Sequence, residues 1–175
     1  MPGRTQQEAF DAFIEPLKKA LSCVAYAKIT RTKLNSELDQ SIIVQPSPLP
    51  FTDSPYQLFM THTFRYVRHN GTEWRVSSLR YEYAIEVSKK KHEVVAFHWE
   101  GHNSGAAPFA HLHLGHANVS SAPLLGPKAH IPTGRVAIED VVYFLIEDLG
   151  VKPLKPDWKE VLARVRQQFM NYKSW

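Results

Sequence analysis

Leu58-Phe59-Met60-Thr61-His62-Thr63-Phe64-Arg65-Tyr66-Val67, returning after Asn70-Gly71 through Trp74 to Val87, is the stretch that decides the fold. Leu58, Met60, His62, Phe64 and Tyr66 alternate with Phe59, Thr61, Thr63, Arg65 and Val67. A two-residue period is that of a strand with one buried face. Asn-Gly tolerates the positive φ that a tight hairpin requires, so the chain is expected to turn there. On the return, Leu79, Tyr81, Tyr83, Ile85 and Val87 share a face, with Arg80, Glu82 and Glu86 opposite. Trp74 and Val76 fall in the other register, which predicts a bulge beside Ser77 and Ser78. A turn through Lys89, Lys90 and Lys91 leads to strands expected over 94–99 and 109–114.

Outward from this sheet, Thr5-Gln6-Gln7-Glu8 has capping-box spacing, and Phe10, Phe13, Ile14, Leu17, Leu21 and Val24 follow at helical intervals. Pro16 falls inside that pattern and predicts a kink or two short helices. Residues 28–38 read as a polar connection and Ile42, Ile43 and Val44 as a short strand. The prolines at 46, 48, 50 and 55 make 45–56 an ordered extended loop, suited to act as a lid. Two helices end the chain. One is stopped by Gly150, and one is capped by Asp157 with Trp158, Val161, Leu162, Val165 and Phe169 on its buried face. The expected fold is a single α+β domain over 1–175. It comprises a kinked N-terminal helical segment, an antiparallel meander of about four or five strands, and two C-terminal helices.

With 175 residues, a formal net charge of +4 and 43% hydrophobic residues, the composition is that of an ordinary globular domain. The charge permits a polyanionic partner without requiring one. Arg65, Arg68, Arg75 and Arg80 interleave with Tyr66, Trp74, Tyr81 and Tyr83, a mixture that can hold single-stranded nucleic acid or simply form the two faces of a sheet. Cys23 is the only cysteine and sits among apolar neighbours, as a buried structural thiol does. No apolar run reaches membrane-spanning length and no secretory h-region is present, so the expected location is cytoplasmic with no membrane partner.

Six of the nine histidines fall between positions 98 and 130, and no Asp or Glu occurs between 101 and 134. Histidine exchanges protons near neutral pH and is the commonest metal ligand. His111 and His113 project from the same strand face, His98 stands on the preceding strand, and His116 follows the flexible Gly115. Three readings follow. The first is acid/base catalysis by His111 and His113, assisted by His98 or His116, on a phosphate-bearing substrate such as RNA. The second is an all-histidine site for zinc or another transition metal, drawn from His98, His111, His113 and His116. The third is a half-buried sheet edge with ordinary hydrogen bonds and no chemistry, in a non-enzymatic binding domain. A separate anion site is expected from His130, Thr133 and Arg135, at a turn before a helix N-terminus, with Lys128 nearby. His62 reads as a hydrogen-bonded core histidine.

The run His111-Leu112-His113-Leu114-Gly115-His116 is similar to the motif of histidine-triad nucleotide-binding proteins, except that Gly115 displaces the third histidine. Tyr81-Glu82-Tyr83, Phe97-His98-Trp99 and His111-Leu112-His113, with His130 to Val136 running into Ile138-Glu139-Asp140-Val141, resemble small uncharacterised prokaryotic proteins. In those a His-x-His strand precedes a C-terminal helix, and some are similar to toxins of type II toxin–antitoxin systems. That resemblance implies an RNA-directed activity and a protein partner. Ala110 stands where such toxins often have proline, and residues 1–56 have no counterpart in them.

Overall fold

A computed structural model describes residues 2–34, 39–87, 92–101, 109–115 and 129–171. In chain order the elements are α1 (Gln6–Leu21), β1 (Lys28–Lys33), β2 (Asp39–Gln45), β3 (Leu49–Pro50), β4 (Tyr56–His69), β5 (Glu73–Val87), β6 (His92–Glu100), β7 (His111–Leu114), β8 (Ile131–Pro132), α2 (Ile138–Glu147) and α3 (Trp158–Asn171). The central hairpin β4–β5 closes at Asn70 and Gly71, with φ of 50° and 73°. These are the left-handed conformations that make Asn-Gly the favoured pair in such a turn. Leu58, Met60, His62, Phe64 and Tyr66 are buried on one face, as their alternation requires.

The expected bulge is present. Thr63 faces Arg80 whereas Phe64 faces Ser78, which leaves Leu79 as the extra residue. The insertion carries Trp74, Val76 and Ser78 onto the same face as Tyr81, Tyr83 and Ile85, so one side of β5 stays apolar along its length.

Around the hairpin the strands run in the order β1-β2-β4-β5-β6-β7-β8, with β3 paired to the start of β4. Every pairing is antiparallel. Among the described residues the sheet therefore has eight strands rather than the four or five expected. The additional strands are the ones whose side chains carry little burial signal. β1 lies in the segment read as a connection and pairs only with β2, with most of its residues exposed. β3 and β8 are two residues each and both include a proline. Edge strands are held by backbone hydrogen bonds, which hydrophobic periodicity does not report. β3 also corrects the reading of 45–56 as a loop throughout, because Leu49 and Phe51 are buried against the sheet.

α1 and α2 pack on the apolar face, and α3 packs against both of them. Phe10 and Phe13 of α1 lie 5.7 and 5.5 Å, ring to ring, from Phe64, and Phe144 of α2 meets Phe97 of β6. Thr5 caps α1 by accepting the Glu8 amide at 3.1 Å, and the Glu8 carboxylate takes the Arg4 amide at 2.7 Å. Pro16 does not divide the helix, which runs as one element through Leu21. Phe13, Ile14 and Leu17 are all buried around it, so packing on the sheet offsets the hydrogen bond that proline cannot donate.

His62 is buried in this layer between two hydroxyls, with Nε2 2.7 Å from Ser78 Oγ and Nδ1 3.3 Å from Tyr83 Oη. Burial drives its pKa down from 6.5 to about 3. Between those values the unfolded chain binds a proton that the folded chain refuses, so stability must fall as pH drops from 6.5 towards 3. The slope for one group is about 1.4 kcal/mol per pH unit. Urea unfolding at pH 7 and pH 5 should show a loss of about 2 kcal/mol from this residue, and His62→Gln should lose less between the two. Equal losses in the two proteins would assign the pH dependence elsewhere.

Candidate functional site

The other face of the sheet is where the histidines meet. β6 pairs with β7 so that His98 stands opposite His111 and Ala96 opposite His113. Alternation then places His98, His111 and His113 on one face, and turns Phe97 and Trp99 towards the helices. Close pairing depends on Gly115, whose amide donates to the Val94 carbonyl at 3.0 Å. A Cβ at Gly115 would run into the Glu93 carbonyl backbone.

One ring nitrogen from each of His98, His111 and His113 lies within 4.8 Å of the others. The His98 and His113 rings stack, 4.8 Å apart and 9° from parallel. His111 lies 5.0 Å from His113 and 5.6 Å from His98. A fourth ring joins them, since His130, just before β8, lies 4.7 Å from His111 and 4.6 Å from His113. β8 pairs with β7, so the same ladder that extends the sheet delivers His130.

The hydrogen bonds select lone pairs. His111 Nδ1 lies 2.8 Å from the Phe109 carbonyl oxygen, which can only accept, so Nδ1 carries the proton and Nε2 is left with its lone pair. Anchoring one imidazole nitrogen to a carbonyl is how metal-binding histidines are commonly oriented. Nε2 of His98 and Nε2 of His113 are buried and have no hydrogen-bond partner among the described residues. Leaving such atoms unpaired costs about 1–3 kcal/mol each.

The electrostatics favour the neutral forms of His98 and His113. Burial, then His113, His111 and His130 in turn, push the His98 pKa down to about 4. Burial, His130 and His111 lower that of His113. Glu82 Oε1 is 3.9 Å from His98 Nε2. That long contact, from a carboxylate 41% exposed, does not offset the burial and mutual repulsion, so Glu82 is a polar neighbour rather than an ion-pair partner.

The structure thus brings together three of the sequence-derived candidates, His98, His111 and His113. It adds His130, which sequence spacing had assigned to the turn before α2. His116 and Lys128 lie outside the described residues. Thr133 donates its amide to the Ala110 carbonyl at 2.8 Å, at the β7–β8 edge. Arg135 sits across the sheet from the histidines, its guanidinium 3.8 Å over the Trp99 ring. The N-terminus of α2 is engaged by the chain's own groups: Asp140 Oδ2 accepts the Ala137 amide at 3.2 Å, and Tyr81 Oη accepts that of Val136 at 2.7 Å. The two segments singled out in the sequence therefore meet at His130, whereas Arg135 lies on the other face of the sheet. Sequence reasoning read Arg75 only as part of a basic and aromatic stripe and Glu139 only within the 138–141 resemblance, whereas both line a cavity on the helix side. Glu139 could be suspected only as a charged residue on the apolar side of the 138–149 pattern.

No protein-family model, curated protein or solved structure matches the chain.

Proposed function

We propose that the chain binds a transition-metal ion, zinc foremost, through His98, His111 and His113, with His130 beside them. The observation that carries this reading is the convergence of the three ring nitrogens within 4.8 Å. Zinc held by imidazoles at about 2.0–2.1 Å in a tetrahedron sets its ligand atoms about 3.4 Å apart. Side-chain rotations that draw the rings inward by about an ångström would reach that spacing. Neutral His98 and His113 imidazoles, whose Nε2 atoms are unpaired among the described residues, suit a borderline-soft cation better than an anion. Three histidines leave a fourth position for water, substrate or His130, and at an open site zinc lowers the pKa of bound water towards 7.

Acid/base chemistry on a phosphate-bearing substrate such as RNA is the second reading, supported by the same clustering of imidazoles. Of its two expected cations, Arg135 faces the other side of the sheet and Lys128 lies outside the described residues. Calorimetric titration of untagged, chelator-stripped protein tests the first reading. Zinc should bind one per chain and raise the Tm. At about 100-fold excess over Kd the stabilisation is about 2.7 kcal/mol, or several degrees for a chain of this size. No stoichiometric binding, with phosphodiesterase activity persisting in chelator, would favour the second.

A further inference from the structure

On the helix face of the sheet, beside the N-terminal end of α1, lies an open groove of about 630 Å³. One wall is the entry to α1, from Arg4 to Gln7. It is held down where Gly3 and Trp74 exchange backbone hydrogen bonds of 2.9 and 2.7 Å. The other wall is sheet: Arg31 and Lys33 of β1, Gln40 of β2, Tyr66 of β4 and Trp74 of β5. The register puts all five on the helix face. Arg31 pairs with Ile42, Lys33 with Gln40, Gln40 with Phe64 and Tyr66 with Val76, and cross-strand partners share a face. Trp74 stands two residues from Val76, so it shares that face as well. Arg4, Arg31 and Lys33 are exposed, which leaves them open to a partner.

Among the described residues the lining holds three cations and no acid. None of the three is ion-paired to a described carboxylate. Arg31 donates from Nη1 to Tyr66 Oη at 3.0 Å and lies 4.6 Å over the Phe10 ring, contacts that fix the guanidinium without neutralising it. Glu8, the acid nearest on α1, turns its carboxylate to the Arg4 amide. Asp39 is on the opposite face, paired with Arg65. Arg68 adds a fourth cation at the edge of the groove, its guanidinium 4.0 Å over the Trp74 ring. Like charges gathered without acids raise the local concentration of a polyanion.

We propose that this groove binds single-stranded nucleic acid, its backbone phosphates on Arg4, Arg31 and Lys33 and a base against Trp74. Arg31 and Lys33 are two residues apart on one strand, so they stand roughly 6–7 Å apart. That spacing suits successive phosphates of an extended strand. The phosphates of a nucleoside triphosphate are joined through single oxygens and lie closer together, and a duplex is too wide to enter. Cations that track a backbone beside an aromatic side chain are the general arrangement for binding single strands. The site is independent of the histidines, which occupy the opposite face of the sheet.

Fluorescence anisotropy tests this, with the full chain in chelator and a labelled oligouridylate of about 12 nucleotides as the probe. Kd should be on the order of 10 μM in about 50 mM salt. Three phosphate contacts on a single strand give a slope of about −2 for log affinity against log salt, a loss of about 15-fold on raising salt fourfold. Lys33→Gln alone should reduce that slope by about 0.7. Arg4→Gln/Arg31→Gln/Lys33→Gln should weaken binding at least about tenfold while its circular dichroism matches wild type. Lys18→Gln/Lys28→Gln/Lys152→Gln removes the same charge from elsewhere on the surface and should bind as wild type does, as should His111→Ala. ATP and a duplex of the same length should compete at least about tenfold more weakly than the unlabelled strand. No saturable binding, a slope unchanged by Lys33→Gln, an equal loss in the two triple variants, or ATP or duplex competing as well as the strand would each overturn the proposal. Zinc binding is measured separately on the same proteins, so failure here is distinct from failure of the metal site.

Discussion

His111→Ala should lower zinc affinity by about 100-fold or more and abolish the zinc-dependent rise in Tm. Disturbing a group that merely orients a ligand costs about 10–100-fold, and removing the ligand costs at least the upper end of that range. His111 is the member of the cluster whose geometry is most constrained. It is 7% exposed, its Nδ1–H is held by the Phe109 carbonyl, and its ring touches those of His98, His113 and His130. His92→Ala supplies the control, since His92 is exposed at the start of β6 and pairs with Val87 rather than with the histidine strand. The metal reading requires the two variants to differ: His92→Ala should bind zinc as wild type does. Equal zinc affinity in His111→Ala and His92→Ala would mean that any zinc bound sits elsewhere.

Gly115→Ala should cost about 3 kcal/mol of stability and weaken zinc binding together, because one methyl group attacks the contact that builds the site. The added carbon would collide with the Glu93 carbonyl and come within 2.9 Å of the Val94 nitrogen, both backbone, so no side chain can rotate away. Overpacking of this kind costs about 1–3 kcal/mol, and more where backbone must move. Relief comes only by moving the end of β7 off β6, which separates His113 from His98. Gly71→Ala is a useful comparison, since nothing lies within 4 Å of a Cβ there and the cost is conformational strain at φ 73°. It should destabilise the hairpin and leave zinc affinity unchanged. A Gly115→Ala protein with wild-type denaturation and zinc binding would refute the close pairing of β6 and β7.

What could be read from the sequence depended on which forces leave a trace in it. The β4–β5 hairpin was legible to the bulge, since Trp74 and Val76 break register with Tyr81 and Tyr83 and Asn70-Gly71 marks the turn. β1 was not, because an exposed edge strand is held by main-chain bonds and any polar residue serves. Pro16 suggested a break, and the burial of Phe13, Ile14 and Leu17 against the sheet outweighed it. At the site, the alternation of His111 and His113 and the position of His98 on the preceding strand were visible in the spacing. Their register was not, as the intervening segment has no periodicity to fix it. His130 joins them only because β8, two residues long, pairs with β7. The buried carboxyl of Glu139 exists only once the helices close over the sheet.

The central claim is that His98, His111 and His113 form one metal centre, and X-ray absorption at the zinc edge tests it most directly. Untagged protein carrying one zinc per chain should give a first shell of at least three nitrogens at about 2.0–2.1 Å, with the multiple-scattering signature of imidazole. That signature should disappear in His111→Ala. A shell of oxygens alone, or an imidazole signature unchanged by His111→Ala, would contradict the account.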